Sequence, residues 1–218
     1  TDNKNLLPKK NVTYIEQDFL GFPFSTLYRY HMFLRIKSKL EEYDYIVFFN
    51  ANFKFLKKIN CLEFFGIKNK KIVAGLHPLF INVPNSKYPT EKRKNSKCRI
   101  LNPSIYVQGC INGGKSKEFI FLMEKMKVLI DQDLSNGILT EWWDEAYWNF
   151  LINDYYQNKR DKLHILTSDY LCPENQLTDK TKIMQISKSD DFDLQEKQFN
   201  YSIKTLIKFL FIKIKKKF

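Results

Sequence analysis

One short segment of this 218-residue chain constrains its fold more than any other. Residues 46–53 have the sequence IVFFNANF, so an apolar run of strand-forming residues ends abruptly at Asn50 and Asn52. In open α/β sheets, ligands bind beyond the carboxyl ends of buried strands. Because side chains alternate along an extended segment, we expect both asparagines to point to the same side and act on one ligand. The alternative is a turn in which they only cap the strand.

The same two side chains bear on metal binding. A hard divalent cation prefers carboxylate oxygens, and neutral amides are poor ligands for it. A site built on Asn50 and Asn52 is therefore expected to work without a metal ion.

Composition limits the kinds of partner. The chain holds 36 lysines and arginines against 24 aspartates and glutamates, a net charge of +12, which favours nucleotide diphosphates, nucleic acid or acidic lipid head groups. With 44% hydrophobic residues, it can bury a full core as one α/β domain. No apolar run reaches the roughly 20 residues of a membrane span. The four cysteines lack zinc-ligand spacing, and we expect reduced thiols in a cytoplasmic protein.

Apolar periodicity predicts alternating strands and helices. We expect strands at 12–15, 45–49, 72–76, 105–107 and 163–167, helices at 25–40, 118–133 and 142–153, and a long surface loop at 82–102. After the fourth strand, Gly109, Gly113 and Gly114 either let the backbone approach a ligand closely, open a helix toward a phosphate, or form an ordinary hairpin or helix-capping turn.

Residues 142–145 combine two indoles with two carboxylates in the sequence WWDE. Aromatic faces pack on the apolar faces of pyranoses while carboxylates bind hydroxyl groups, so the segment is typical of a sugar subsite. The alternative is a helix N-terminus with acids favourably placed on its dipole. His77 precedes Pro78 at a strand end, where a surface turn is the usual explanation.

Taken in chain order, the motifs form a set. Its members are Arg29 in TLYR (26–29), NAN (50–52), HPLF (77–80), EKR (91–93), Gly109 with Gly113 and Gly114, DQ (131–132), NGI (136–138), WWDEAYWN (142–149) and SDYL (168–171). The set resembles glycosyltransferase family six, which contains the histo-blood-group A and B transferases, the α-1,3-galactosyltransferases and their bacterial relatives. The resemblance covers about residues 1–188.

The resemblance implies an α/β fold of the GT-A type with a central mixed sheet. It also implies a UDP-sugar donor, retention of the anomeric configuration and α-1,3 transfer of N-acetylgalactosamine or galactose to a galactose-containing glycan. Bacterial members carry Asn-x-Asn in place of the metal-binding Asp-x-Asp, so no metal or other cofactor is expected. The family's first strand–helix unit, which holds part of the uridine site, should precede Thr1 and is absent from this sequence.

By position, the resemblance also implies residue roles. Glu145 is the catalytic residue, which either stabilises an oxocarbenium-like transition state or attacks the anomeric carbon. The donor-binding residues are Arg29, Asn50, Asn52, Val107, Gln108, Gly109, Asp144 and Lys188. The acceptor-binding residues are His77, Trp142 and Trp143.

Three of these positions fall where the family sets donor choice, namely Val107, Gln108 and Gly109. Gly109 leaves space beside the C2 substituent of the sugar, which favours N-acetylgalactosamine. Gln108 is larger than the family's usual residue and weakens that preference.

The carboxyl end differs in character from the rest. We predict a catalytic domain at 1–198 and a basic amphipathic helix at 199–218, in which Ile203, Leu206 and Leu210 recur at helical spacing opposite lysines. The helix either lies on an anionic membrane, at the inner face of the cell membrane, or docks on the domain. An enzyme that extends lipopolysaccharide or lipid-linked glycans meets its acceptor there, which favours the membrane.

Two alternatives belong to other functional classes. The missing first unit suggests a catalytically inactive sugar-binding fragment. The net charge of +12 suggests a nucleic-acid-binding module. Because the lysines are spread along the chain and no recognition motif is present, we expect no nucleic acid partner.

Overall fold

The computed structural model of the protein describes residues 12–18, 20–66 and 69–187. The helices are α1 (Phe24–Leu27), α2 (Arg29–Leu34), α3 (Lys37–Leu40), α4 (Cys61–Phe65), α5 (Ser116–Ser135) and α6 (Trp143–Asn158). The strands are β1 (Tyr45–Phe49), β2 (Phe53–Phe55), β3 (Ile72–Leu76), β4 (Val107–Lys115), β5 (Leu163–Leu166), β6 (Cys172–Pro173) and β7 (Ile183–Gln185). Short 3-10 helices lie at Pro78–Phe80, Asn85–Lys87, Arg160–Lys162, Ser168–Tyr170 and Glu174–Gln176.

The strands form two mixed sheets. The larger has the order β1-β4-β3-β5, in which β4 is antiparallel to β1 and β3, and β5 is parallel to β3. The smaller has the order β2-β7-β6, with β2 antiparallel and β6 parallel to β7. The mixed α/β architecture that we predicted is confirmed.

A bulge interrupts β4 at its middle. Along β3, Ala74 faces Asn112 but the next residue, Gly75, faces Gln108, so residues 109–111 have no partner on that strand. On the other side, the pairing with β1 ends at Phe49 and Ile111. The N–H and C=O of Gly109 therefore lie outside both ladders. Bulges commonly re-aim groups beside functional sites, and this one leaves the Gly109 peptide group available for side chains.

The main core lies between the larger sheet and helices α5 and α6. Helix α5 presents to this core an apolar face whose members are Phe119, Leu122, Met123, Met126 and Ile130, as its 3.6-residue periodicity predicts. Helix α6 contributes Trp148 and Ile152, both fully buried. The rings of Phe119 and Trp148 meet edge to face with centroids 5.9 Å apart. The helices predicted at 118–133 and 142–153 are confirmed.

The single helix predicted at 25–40 is wrong. Three short helices occupy this region, broken at Tyr28 and at Ile36, whose φ and ψ are −115° and 28°. Tyr28 likewise leaves helical values, with φ of −87° and ψ of 9°. Phe24, Leu27 and Tyr30, on either side of this break, are all buried in the core. The predicted strand at 12–15 is also wrong, because residues 12–18 have no regular structure and Val12 is exposed.

The glycines of β4 neither open a helix nor form a turn, and a close approach of their backbone to a ligand stays a prediction. Gly113 and Gly114 lie inside the strand, not in a turn or at a helix start, and the strand begins at Val107, later than the predicted 105. Gly114 has φ of +150°, and a Cβ there would lie 2.1 Å from the carbonyl oxygen of Lys71. The glycines therefore allow neighbouring backbones to approach the central strand closely.

The predicted surface loop at 82–102 has a buried base. Asp133 of α5 is fully buried and accepts hydrogen bonds from the Ser96 hydroxyl at 2.8 Å, the Lys97 N–H at 2.8 Å and the Tyr147 hydroxyl at 3.0 Å. These bonds fix the loop to α5 and α6. The predicted loop is confirmed, since residues 82–102 hold no strand or α-helix and most are exposed, but a carboxylate distant in sequence anchors its base.

Other predictions concern thiols, membrane spans and the tail. The four cysteines are free, and no helix among the described residues is long and apolar enough to cross a membrane. Lys188 and the tail at 199–218 lie outside the described residues. The division at 198 stays a prediction.

Candidate active site

The site is built around the start of helix α6. Asp144 and Glu145 occupy its first turn, where the helix dipole favours negative charge. Trp143, the first helical residue, has φ of +44°, which bulky side chains rarely adopt. Its carbonyl accepts a hydrogen bond from the Thr140 hydroxyl at 2.9 Å. A tightly held helix start thus presents both carboxylates to the β4 bulge.

A nearly buried ion pair joins α2 to α6. Nη1 of Arg29 lies 2.9 Å from Oδ2 of Asp144, and the two side chains are 13% and 4% exposed. The same nitrogen donates to the carbonyl of Gly109 at 3.0 Å. The guanidinium lies over the ring of Phe48, with Cζ 4.1 Å from the ring centroid. Arg29 therefore has a fixed position between Asp144 and the bulge.

Both oxygens of Glu145 accept hydrogen bonds. Oε1 accepts from the Tyr106 hydroxyl and Oε2 from the Gly109 N–H, each at 2.7 Å. Burial raises the pKa of Glu145 to about 7, an effect that the two hydrogen bonds oppose. Nearby Asp144 raises this pKa further, whereas Arg29 lowers it. The carboxyl group therefore changes charge close to neutral pH.

Gly109 allows the close approach of Glu145. A Cβ at this position would lie 3.0 Å from Cβ and 3.3 Å from Oε2 of Glu145. A side chain at position 109 would therefore crowd Glu145. The preference for N-acetylgalactosamine that we drew from Gly109 stays a prediction.

Two asparagines fasten α6 to the strand that precedes the bulge. Asn149 accepts from the N–H of Val107 at 2.9 Å and donates to its C=O at 2.8 Å. One turn later, Asn153 pairs with Ile105 in the same way, at 3.2 and 3.0 Å. These amides make the backbone hydrogen bonds that a neighbouring strand would otherwise make. They thereby set Glu145, one turn earlier, against the bulge. Val107 itself is fully buried.

The sequence alone does not identify Tyr106, Asn149 and Asn153 as site-forming residues. One signal is present, because Glu145, Asn149 and Asn153 recur at intervals of four along a helix rich in aromatic residues. Polar residues at this spacing share one helix face. Tyr106 offers no such signal.

The two asparagines after β1 do not lie on an extended segment. Residues 51–52 form the turn between β1 and β2, so the prediction from alternating side chains is wrong. The Asn52 amide nitrogen donates to the carbonyl of Ile186 at 2.8 Å. The backbone N–H of Asn50 binds the Cys110 carbonyl at 3.1 Å, which continues the pairing of β1 with β4.

A cavity of about 650 Å³ opens beside Asn52. Its other lining residues are Pro173, Glu174, Asn175, Gln185, Ile186 and Ser187. The Gln108 amide nitrogen donates to Oε1 of Gln185 at 3.0 Å, and this bond links the two sheets next to the cavity. Because the described chain ends at Ser187, Lys188 follows directly from the cavity wall in sequence.

The residues implied in acceptor binding lie in different surroundings. His77 caps the helix at Pro78–Phe80, and burial lowers its pKa to about 4, so it is neutral at physiological pH. Trp142 is 40% exposed and lines a cavity of about 430 Å³. Trp143 packs on Phe22 with ring centroids 4.3 Å apart. The remaining residues that line the Trp142 cavity are Thr90, Glu91, Lys92, Arg93, Leu139, Glu141 and Ala146.

The structure thus brings the predicted residues together in two groups. Arg29, Gly109, Asp144 and Glu145 form one contact network. Asn52 lines the 650 Å³ cavity, and Gln108 is hydrogen-bonded to Gln185 in its wall. Within residues 12–18, 20–66 and 69–187, no three His, Cys, Asp or Glu side chains are grouped so that they could hold a metal ion.

Comparison with known proteins identifies related chains. The model of glycosyltransferase family 6 matches residues 28–200. The O-antigen biosynthesis glycosyltransferase WbnI of Escherichia coli is 34% identical over 151 residues, which are 68% of this chain and 62% of that protein. Globoside alpha-1,3-N-acetylgalactosaminyltransferase 1 of Gallus gallus is 31% identical over 102 residues, and its Homo sapiens counterpart is 28% identical over 102. These two matches cover 46% of this chain and 28% of each relative.

The matched region therefore spans less than two thirds of each relative's length. The family model nevertheless covers most of this chain, including every residue of the Arg29–Gly109–Asp144–Glu145 network. The resemblance indicated by the ordered motifs is confirmed, and the mixed α/β architecture agrees with the GT-A-type fold that it implied. The chain belongs to glycosyltransferase family 6.

Proposed function

We propose that this chain carries the catalytic residues of a retaining transferase that moves N-acetylgalactosamine or galactose from a UDP-sugar to a galactose-containing glycan in α-1,3 linkage. The observation that carries the proposal is Glu145, held through both carboxylate oxygens beside the Arg29–Asp144 ion pair. A fixed, nearly buried carboxylate is suited to a reaction that develops positive charge at an anomeric carbon.

Each residue of the network has a defined task in this proposal. Glu145 stabilises the oxocarbenium-like transition state or attacks the anomeric carbon to form a glycosyl-enzyme. Asp144 accepts hydrogen bonds from hydroxyl groups of the donor sugar. Arg29 holds Asp144 in place, because its guanidinium is already engaged with that carboxylate and with the Gly109 carbonyl. Lys188, one of the predicted donor-binding residues, is proposed to help neutralise the negative charge of the diphosphate.

The names of the relatives support the proposed sugar and acceptor. The vertebrate relatives are named as alpha-1,3-N-acetylgalactosaminyltransferases, which favours that donor sugar and that linkage. The Escherichia coli relative is named for O-antigen biosynthesis, which favours a polysaccharide acceptor that is part of lipopolysaccharide or carried on a lipid. His77 and Trp142 are the residues that we propose to contact this acceptor.

We also propose that the reaction needs no metal ion. Asn50 and Asn52 supply amides where a divalent cation would favour carboxylates. The Asn52 amide nitrogen already donates to the Ile186 carbonyl, and its amide oxygen has no hydrogen-bond partner among the described residues. We expect cationic side chains to neutralise the leaving diphosphate instead.

A transfer assay with the full-length protein tests the proposal. UDP-N-acetylgalactosamine and UDP-galactose are each supplied with a galactose-terminated acceptor, with and without EDTA, and the new linkage is determined by NMR. We expect an α-1,3 product whose rate of formation is unchanged by EDTA. A rate that vanishes with EDTA and returns with Mn²⁺ would contradict metal independence. Absence of both transfer and UDP-sugar hydrolysis would favour the inactive sugar-binding protein.

The Glu145→Gln variant tests the assignment of the catalytic residue. Glutamine keeps the shape of the side chain but removes its charge, so we expect kcat to fall by at least about 100-fold with little change in donor KM. In the wild type, protonation of Glu145 should reduce kcat as the pH falls through about 7, the pKa that burial gives this group.

Glu124→Gln is the matched control, because Glu124 is a half-exposed residue of α5 whose carboxylate pairs with Lys37. It should leave the rate and its pH dependence unchanged. A Glu145→Gln enzyme with a nearly wild-type rate would remove Glu145 from the mechanism.

Finally, we propose peripheral contact of residues 201–218 with an anionic membrane. The segment combines apolar residues at helical spacing with six lysines, each of which contributes about 1 kcal/mol near an anionic surface. Co-sedimentation with anionic vesicles is compared between the intact chain and one that ends at Asn200. We expect the intact chain alone to bind, and to dissociate at high salt. Equal binding of the two would exclude an anchor in this segment.

A further inference from the structure

Tyr106 connects two parts of the site. Its ring is nearly buried and packs with the rings of Phe80, His77 and Tyr88 at centroid distances of 4.9, 5.6 and 5.7 Å. Its hydroxyl leaves this aromatic cluster and donates to Oε1 of Glu145 at 2.7 Å. Tyr106 therefore spans the distance from the His77 side of the site to the carboxylate.

The backbone around Tyr106 is fixed independently of the hydroxyl. The Tyr106 carbonyl accepts a hydrogen bond from the His77 N–H at 3.2 Å. Asn149 binds both the N–H and the C=O of the next residue, Val107. The ring contacts do not involve the phenol oxygen. A phenylalanine could therefore occupy the same place, and only the bond to Glu145 would be lost.

The chemistry of that bond favours one charge state of the carboxyl group. Burial and the nearby Glu145 raise the pKa of Tyr106, so the phenol stays protonated and serves as a donor. A donor on Oε1 stabilises the ionised carboxylate, while the Gly109 N–H does the same on Oε2. The other charged groups that act on Glu145 are Asp144, which opposes ionisation, and Arg29, which favours it.

We propose that Tyr106 is a positioning residue for sugar transfer. Its hydroxyl fixes Oε1 of Glu145, and its ring is held in place by the rings of His77, Phe80 and Tyr88. The inference rests on the catalytic role proposed for Glu145. It adds that the orientation of the carboxylate is set before the donor binds, by a residue on the acceptor side.

The test uses Tyr106→Phe and a titration that requires no catalysis. Glutamate carboxyl carbons are labelled with ¹³C, and the Glu145 signal is assigned by its loss in Glu145→Gln. In Tyr106→Phe we expect the titration midpoint of Glu145 to rise by about one pH unit, because the donor to its ionised form is gone. At pH 7 the ionised fraction should then fall from about a half to about a tenth, which lowers kcat about fivefold. Donor KM should stay within about twofold, and the lost rate should return at higher pH.

Tyr88→Phe is the control, since Tyr88 belongs to the same aromatic cluster and is not a donor to Glu145 in the described part of the chain. It should leave the midpoint and the pH–rate profile unchanged. An unchanged midpoint in Tyr106→Phe would overturn the inference, even if the wild type is active. If the midpoint shifts in Tyr106→Phe but the wild-type protein shows neither transfer nor UDP-sugar hydrolysis, the proposed function is overturned instead.

Discussion

The rest of the site depends on the hydrogen bonds made by the backbone N–H and C=O of Gly109. Its N–H binds Glu145, and its C=O accepts from Arg29 and from the buried amide of Asn112. These bonds are possible only because the β4 bulge removes residues 109–111 from the ladder with β3. One irregularity in the central strand thereby joins α2, α6 and the sheet.

The elements around the bulge keep it in register. Asn149 and Asn153 attach α6 to residues 105–107, so the helix cannot slide along β4 without breaking four hydrogen bonds. Each buried amide or peptide group left without a partner would cost about 1 to 3 kcal/mol. The carboxylates of the first turn are therefore placed by the body of the helix as well as by the Thr140 bond at its start. Such support from a rigid element suits a site that must hold its geometry before a ligand arrives.

Local patterns predict the parts of the fold whose packing is regular. Helix α5 follows from its apolar periodicity, and strands β1 and β3 follow from short apolar runs. β3 is buried, but the burial predicted for β1 is wrong, because this strand lies at the edge of the sheet and is only partly covered. The region at 25–40 could not be divided correctly, because no glycine or proline marks the breaks at Tyr28 and Ile36 in its otherwise helical pattern. Likewise, the role of Asp133 depends on Ser96 and Lys97, far away in sequence, and no local pattern reports that pairing.

The site shows the same division. Asp144 and Glu145 were predictable from their motif, since adjacent carboxylates beside indoles favour either a sugar subsite or a helix start, and here they lie at a helix start within a polar network. The turn at residues 51–52 was one of two alternatives, because the end of the apolar run at Phe49 does not decide between an extended segment and a turn. Tyr106 was hidden: its partner lies 39 residues away, and its apolar neighbours suggest only a core residue.

The hydrogen bond between Gly109 and Glu145 can be observed directly. Among the 7 glycines, Gly109 alone follows a glutamine, so ¹³C-carbonyl labelling of glutamine with ¹⁵N labelling of glycine selects its amide signal. If Oε2 of Glu145 is its acceptor, the Gly109 amide proton should shift with pH about a midpoint near 7, the pKa of that carboxyl group, and the shift should be absent in Glu145→Gln. A Gly109 amide that does not respond to pH between 5 and 9, the ~2 units either side of that midpoint over which such a group titrates, would contradict this account of the site.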